Sequence, residues 1–265
     1  MKQPSMQVTH MEVTSPRLLQ EERALILADL HQQVSDEYLP CWRALQPTLV
    51  LISGDWIEGR YRADGRVQTL TLLSTLAKLC PVYYSLGNHE LGARGNCRPL
   101  GEISARLANS SSSRQALMGE LTACGVRVLH NEYVRHGSMV IGGLTSAAGE
   151  MIATDWLKEF SAETGFRLLL CHHPEYYDPY VRRHGLDLTV SGHAHGGQWQ
   201  LFGRGVFAPG QGLFPRYTNG FYDDKHLLVS RGLGARQALP RFGNPKQTIL
   251  LRLVPAKNEQ GGTRA

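Results

Sequence analysis

Ala24-Leu25-Ile26-Leu27-Ala28-Asp29-Leu30-His31 opens on five apolar residues and closes on a carboxylate and an imidazole. A short unbroken apolar run reads as a strand buried on both faces, the habit of parallel sheets covered by helices. The pattern recurs downstream. Thr48-Leu49-Val50-Leu51-Ile52 runs into Ser53-Gly54-Asp55, and Pro81-Val82-Tyr83-Tyr84-Ser85 into Leu86-Gly87-Asn88-His89-Glu90. Between these strands, helices are expected over residues 36–45, with Ser35 as cap, and over 67–79, where Leu70, Leu73, Leu76 and Ala77 share a face. Strand, helix, strand, helix, strand describes an α/β fold. Its polar residues gather at the C-terminal ends of the strands, the edge where open α/β sheets bind ligands.

Two more blocks follow the rule. Arg167-Leu168-Leu169-Leu170-Cys171 ends in His172-His173, and Leu186-Asp187-Leu188-Thr189-Val190 leads into Ser191-Gly192-His193-Ala194-His195-Gly196-Gly197-Gln198. On extended backbone, residues two apart point to one side, so His193 with His195, and Asp29 with His31, are each expected to converge. Residues 91–113 are irregular and polar. A helix over 114–124 stopped by Gly125, short strands at 126–129, 132–135 and 139–144, and a helix over 154–164 are expected. Strand-like segments also lie at 6–13, 199–202, 205–208, 226–230 and 248–253. With neither repeat nor linker, the simplest organisation is one domain over 1–265, its core about 24–253, with a polar, frayed tail from 254 to 265.

Composition narrows the class. The chain has 265 residues, 42% hydrophobic and 19% charged, as in an ordinary globular protein. A formal charge of +5 suits an anionic substrate but lacks the concentrated basic stripe of a dedicated nucleic-acid binder. Cys41, Cys80, Cys97, Cys124 and Cys171 are odd in number and widely spaced, which argues against a disulfide framework and for a reduced, cytoplasmic setting. Residues 1–20 hold no leader-like apolar run, and nowhere do about 18 uninterrupted apolar residues occur, so no membrane span is expected. Peripheral contact with a membrane stays compatible with this composition, and nothing in it fixes the oligomeric state.

Five apolar strands thus end in Asp29/His31, Asp55, Asn88/His89, His172/His173 and His193/His195. These oxygen and nitrogen donors suit Zn, Mn, Fe and similar divalent ions. Each residue has a plainer role within reach: a cap for Asp29 or Asp55, a turn for Asn88, a structural hydrogen bond for His172. Their shared position at five strand ends favours a site.

The blocks Asp29-x-His31, Gly54-Asp55-x-x-Glu58, Gly87-Asn88-His89-Glu90, strand-end His172 and Gly192-His193-x-His195 resemble, in order, those of the calcineurin-like metallophosphoesterases. The segments 207–214 and Arg241-Phe242-Gly243-Asn244-Pro245 are similar to the bacterial YkuE/YaeI-like branch, which takes in some UDP-2,3-diacylglucosamine hydrolases of lipid A synthesis. That branch often carries an N-terminal export signal or membrane anchor, and none is visible here. The resemblance implies two face-to-face mixed β-sheets flanked by helices in four layers, with a dinuclear metal site at the strand ends. It implies two divalent ions (Mn, Zn or Fe): Asp29, His31, Asp55 and His195 on the first, and Asp55, Asn88, His172 and His193 on the second. It further implies His89 beside the scissile ester and a hydroxide between the ions attacking phosphorus. Glu58 stands where the family usually has Asp, and is expected to support the ligands from behind.

The expected substrate is a phosphate ester, either a small molecule or lipid-linked, whose phosphodiester, pyrophosphate or phosphomonoester bond is cut. A UDP-2,3-diacylglucosamine-type pyrophosphate is one alternative, and a non-catalytic scaffold of the same fold is another, although no expected ligand is missing. Arg94 or Arg98 could grip a second anionic group, or belong to a solvated basic loop. His173 is as compatible with a substrate contact as with a structural hydrogen bond. The aromatics Trp199, Phe202, Phe207, Phe214, Tyr217, Phe221 and Tyr222 read as core or as an apolar groove.

Overall fold

The computed structural model describes residues 6–58, 65–91, 114–145, 152–234 and 241–256. The chain begins with β1 (Gln7–Ser15), β2 (Glu22–Leu27), α1 (Tyr38–Ala44), β3 (Leu49–Ser53), α2 (Arg66–Ala77) and β4 (Val82–Ser85). Helix α3 (114–123) precedes β5 (Arg127–Leu129), β6 (Glu132–His136), β7 (Met139–Leu144), α4 (Trp156–Ala162), β8 (Phe166–Cys171) and β9 (Leu188–Ser191). Two small hairpins follow, β10 (Gln200–Leu201) with β11 (Arg204–Gly205), and β12 (Phe207–Ala208) with β13 (Gly212–Leu213). The last strands are β14 (Gly220–Tyr222), β15 (Leu227–Val229) and β16 (Gln247–Pro255).

Two six-stranded sheets result, ordered β1-β16-β2-β3-β4-β5 and β14-β15-β9-β8-β7-β6. β2 through β5 run parallel, as do β15, β9, β8 and β7, with antiparallel pairs at β16–β2, β14–β15 and β6–β7. The unbroken apolar runs have a simple cause. Side chains alternate across a strand, and here both faces are covered. Ala24, Ile26, Leu49 and Leu51 meet Ile141, Leu168, Leu170, Leu188 and Val190 between the sheets. Leu25, Leu27, Val50 and Ile52 instead pack under Trp42 of α1, Leu72, Leu73 and Leu76 of α2, and Leu117 and Leu121 of α3. On the far side, Val140 and Leu169 lie against Leu157 and Phe160 of α4. The layers are helices, sheet, sheet, helix, as the sequence led one to expect.

Local differences have local reasons. α1 starts later than expected, and Ser35 contributes its main-chain carbonyl to Tyr38 N–H (3.1 Å) instead of a side-chain cap. α2 buries Thr69 and Leu72 with Leu73 and Leu76, leaving Leu70 and Ala77 only partly covered. Residues 174–184 wind through short 3-10 and π turns that no periodicity announced. Pro255 still pairs with Ser15, and residues 257–265 of the tail lie outside the described ones. Cys41, Cys80, Cys124 and Cys171 are free thiols. Among the described residues, no helix is long and apolar enough to cross a membrane.

Candidate metal centre

The five chosen strands, β2, β3, β4, β8 and β9, deliver their polar ends to one place. β2 and β3 keep pairing beyond their last strand residues, Asp29 N–H donating to Gly54 O, His31 N–H to Asp55 O and Gln32 N–H to Trp56 O, each at 3.0 Å. The backbone there is not extended. Asp29, His31, Asp55, His193 and His195 all have positive φ, from 47° to 62°, and Ala194 between the last two is right-handed. Convergence by strand alternation is therefore corrected: tight turns fold each pair inward. Left-handed non-glycine residues cost about 1–3 kcal/mol each, and such strain gathers at functional sites over a core that over-determines it. Gly54 (φ +77°) lets the loops cross, since a Cβ there would sit 2.7 Å from Gly87 Cα and from His172 Nδ1. A Cβ on Gly87 would overlap the Asp55 carboxylate.

Two nitrogen pairs stand out. His31 Nε2 lies 3.2 Å from His195 Nε2, and His172 Nε2 lies 3.2 Å from His193 Nδ1. Two nitrogens about 2.0–2.1 Å from one ion are about 3.4 Å apart in a tetrahedral site and closer at a right angle. Both pairs fit. Asp29 Oδ1 lies between them, 3.8 Å from His195 Nε2 and 3.9 Å from His172 Nε2. Asp55 Oδ2 is 3.0 Å from His172 Nε2, and Asp55 also falls in one cluster with His31 and His89. His195 clusters with Asp29 and His31, and His193 with His172 and His173; among the described residues no cluster holds both His193 and His195. Asn88 is buried in the β4 turn beside them.

The outer contacts fix tautomers. His172 Nδ1 is 2.6 Å from Ser53 O, and a carbonyl only accepts, so Nδ1 carries a hydrogen and Nε2 is the nitrogen that faces the centre. Glu58 does the same for two rings at once, Oε1 at 3.0 Å from His31 Nδ1 and Oε2 at 2.7 Å from His89 Nδ1. Carboxylate-to-imidazole support of this kind orients metal-binding histidines. The longer reach of Glu over Asp lets Glu58 span both.

The charges follow. Burial alone would raise Asp55, but His172 and His89 outweigh it and hold the carboxyl well below its ordinary value. Burial likewise opposes ionisation of Glu58, which His31 and His89 pull down to about 2. His89 is pushed up to about 9, Asp55 and Glu58 overcoming its burial. His172 rises to about 10 against burial, chiefly through Asp55. Burial and neighbouring imidazoles drive His193 and His195 down, keeping them neutral, the form that ligates.

Several supporting residues escaped the sequence reading. Glu90 is buried and accepts backbone N–H bonds from Asp55 (2.9 Å), Trp56 (2.7 Å), Ile57 (3.0 Å) and Gly87 (2.9 Å), and a hydroxyl bond from Tyr84. It ties the Asp55 turn to the Asn88 turn. Its place inside Gly87-Asn88-His89-Glu90 was the available signal. Arg241 donates to the carbonyls of Arg231 (2.6 Å) and Gly234, pinning the segment whose Gly234 N–H meets Asp29 O, and reaches 3.4 Å from His195 Nδ1. Asn244 Nδ2 holds His195 O at 2.6 Å. Glu175, with Oε1 3.7 Å from His193 Nε2, is pushed up to about 7 by burial. No pattern marked it. His173 packs its ring 4.1 Å from His193 and 4.8 Å from Tyr176. Arg94 and Arg98 lie outside the described residues.

A family model for the calcineurin-like phosphoesterases matches residues 22–197, the span that carries all five strand ends. The chain belongs to that family. It is 25% identical over 235 residues to the uncharacterized protein YpbG of Bacillus subtilis, covering 86% of this chain and 79% of that one. It is 27% identical over 241 residues to phosphodiesterase YaeI of Escherichia coli, covering 86% and 81%. With the uncharacterized metallophosphoesterase YkuE of B. subtilis it shares 29% over 221 residues, covering 77% and 67%. The YkuE/YaeI-like branch is thus its place within this calcineurin-like family, whose members are metal-dependent hydrolases of phosphate esters.

Proposed function

We propose that this metallophosphoesterase is a phosphodiesterase with two divalent ions, one held by Asp29, His31, Asp55 and His195, the other by Asp55, Asn88, His172 and His193. The observation that carries this reading is the presence of two separate nitrogen pairs at ligand spacing with buried carboxylates between them. The naming of YaeI as a phosphodiesterase supports the diester.

Paired divalent ions, when bound, supply positive charge to the phosphate and lower the pKa of bound water. The chain's own residues do the rest. Asp29 and Asp55, both buried, offset part of that charge and set the spacing. Glu58 accepts a hydrogen bond from His89 Nδ1, which leaves Nε2 facing the centre, 3.9 Å from Asp55 Oδ2. In the metal-free protein His89 is pushed up to about 9 and is cationic at neutral pH, the form able to bind a phosphate oxygen or protonate the departing alkoxide.

The test loads the purified protein with Mn, Zn or Fe(II), measures metal per chain, and compares bis-p-nitrophenyl phosphate, p-nitrophenyl phosphate and UDP-2,3-diacylglucosamine. The diester should show the highest kcat/KM, and His89→Ala should lower it about a hundred- to ten-thousandfold. A chain that binds no metal, or His89→Ala turnover equal to wild type, would overturn the reading.

A further inference from the structure

Of the aromatic residues after the double-histidine loop, Tyr217 is core and Phe221 and Tyr222 pack against the core, whereas Trp199, Phe202 and Phe214 are exposed. Phe202 is fully exposed and Phe214 is 82% exposed, with Leu201, Leu213, Trp199 and Phe242 beside them in the open. Of the ten exposed large hydrophobic side chains among the described residues, these six lie together in the fold. Backbone bonds join them. Gln200 N–H donates to Phe242 O (2.9 Å), Phe214 N–H to Val206 O (2.9 Å), and Val206 N–H to Trp199 O (2.9 Å). Scattered apolar residues are ordinary, whereas a contiguous exposed patch marks an interaction surface.

Two of these residues are costly to keep for folding alone. Leu201 pairs with Arg204, so Phe202-Gly203 is a two-residue hairpin loop with φ of 51° and 77°. Such loops need positive φ at both positions, and Asn-Gly is their usual choice. Phe214 is likewise left-handed, at 52°. A phenylalanine in that conformation, packed against nothing, gains the fold neither backbone ease nor burial. Between Asp187 and Asp223 the chain carries Arg204 and Arg216 and no carboxylate, while Glu175 and Asp178 reach the β12–β13 side from outside that run, Glu175 against Gly210 and Asp178 on Arg216. Arg204 stands exposed on the Phe202 hairpin itself, while Arg216 pairs with Asp178 at 2.7 Å.

We infer that the Phe202 and Phe214 hairpins dock the protein on the surface of a bilayer containing anionic lipids. Phe202 at the tip of its hairpin, with the exposed Leu201, Leu213 and Phe214 nearby, enters the headgroup boundary, and Arg204 beside it meets anionic headgroups. The hairpins grow directly from the His193–His195 loop, as Gly205 packs against Gly197, so docking sets the candidate metal centre beside the membrane plane. The inference does not depend on which ester is cut.

Vesicle flotation of the full chain tests it, with phosphatidylcholine vesicles and with equal parts phosphatidylcholine and phosphatidylglycerol. The protein should float with the anionic vesicles, less so at high salt. The F202N/F214N double variant should bind about tenfold or more weakly, because two aromatics that would enter the bilayer are lost. Its Tm should be no lower than wild type, since Asn suits a left-handed position. Arg204→Glu should lose the preference for anionic over neutral vesicles. Flotation of the double variant equal to wild type, or wild type that stays off both vesicles, would refute docking. So would a dimer in sedimentation that the double variant dissolves without any vesicle binding.

Discussion

The two histidine pairs of the centre are built by different means. His172 is wholly buried and takes its orientation from a main-chain carbonyl, Ser53 O. His31, in the other pair, takes its orientation from a side chain, Glu58, which is a quarter exposed and shared with His89. A carbonyl at the end of a buried strand cannot be altered without altering the sheet. A carboxylate on a rim loop can. One half of the centre is therefore fixed by the fold, while the other is adjustable and linked to the residue proposed to act on the ester.

The largest effect should come from the residue that serves both halves. Asp55 accepts His89 N–H at 2.8 Å and lies 3.0 Å from His172 Nε2. Asp55→Ala should leave less than one metal per chain and lower kcat/KM about a thousandfold, in line with several kcal/mol of lost charge stabilisation. Elemental analysis beside the diester assay checks it. Full retention of two metals would show that the halves do not share this carboxylate.

Much of this was legible in the chain, for a physical reason. Strands covered on both faces must be apolar throughout, so the runs at Leu25, Val50 and Leu169 announced themselves and their polar ends. The reading of Asp29-x-His31 and His193-x-His195 as extended did not hold, because periodicity carries no information about φ in a turn. Glu90 was in view inside a quoted block, yet its four backbone partners come from two separate turns that only the fold brings together. Arg241 and Glu175 reach the site from loops remote in sequence, where no spacing could place them. The aromatics misled because burial is a property of surroundings: Tyr217 is buried at 4% while Phe202 stands clear of the protein.

A smaller effect separates the halves. Glu58→Gln keeps the size but leaves one of the two imidazoles without an acceptor. The loss should weaken one metal equivalent about 10- to 100-fold, the usual cost of removing an outer partner, and spare the other. It also removes a negative charge from beside His89, so the alkaline limb of the pH–rate profile should move to lower pH than in wild type. Equal weakening of both equivalents in a metal titration would erase the distinction between the pairs.

The smallest effect needs no substitution. In the metal-free protein, His89 and His172 are raised from 6.5 to about 9 and about 10. A histidine raised in the folded state stabilises fully below its unfolded pKa and ceases to do so as pH climbs through the folded one. Their contribution is thus complete below about pH 6.5 and lost on the way to pH 10. His193 and His195 are lowered, so the unfolded chain takes protons that the fold refuses, and their contribution fades as pH falls below about 6.5. Tm in the presence of chelator should peak near pH 6.5 and fall by a few degrees on either side, on the alkaline side progressively up to about pH 10. Loaded with metal, His172 must surrender its Nε2 proton, and the alkaline fall should shrink. A metal-free Tm that rises steadily from pH 7 to 10 would mean that the carboxylates do not hold these two imidazoles in their charged form.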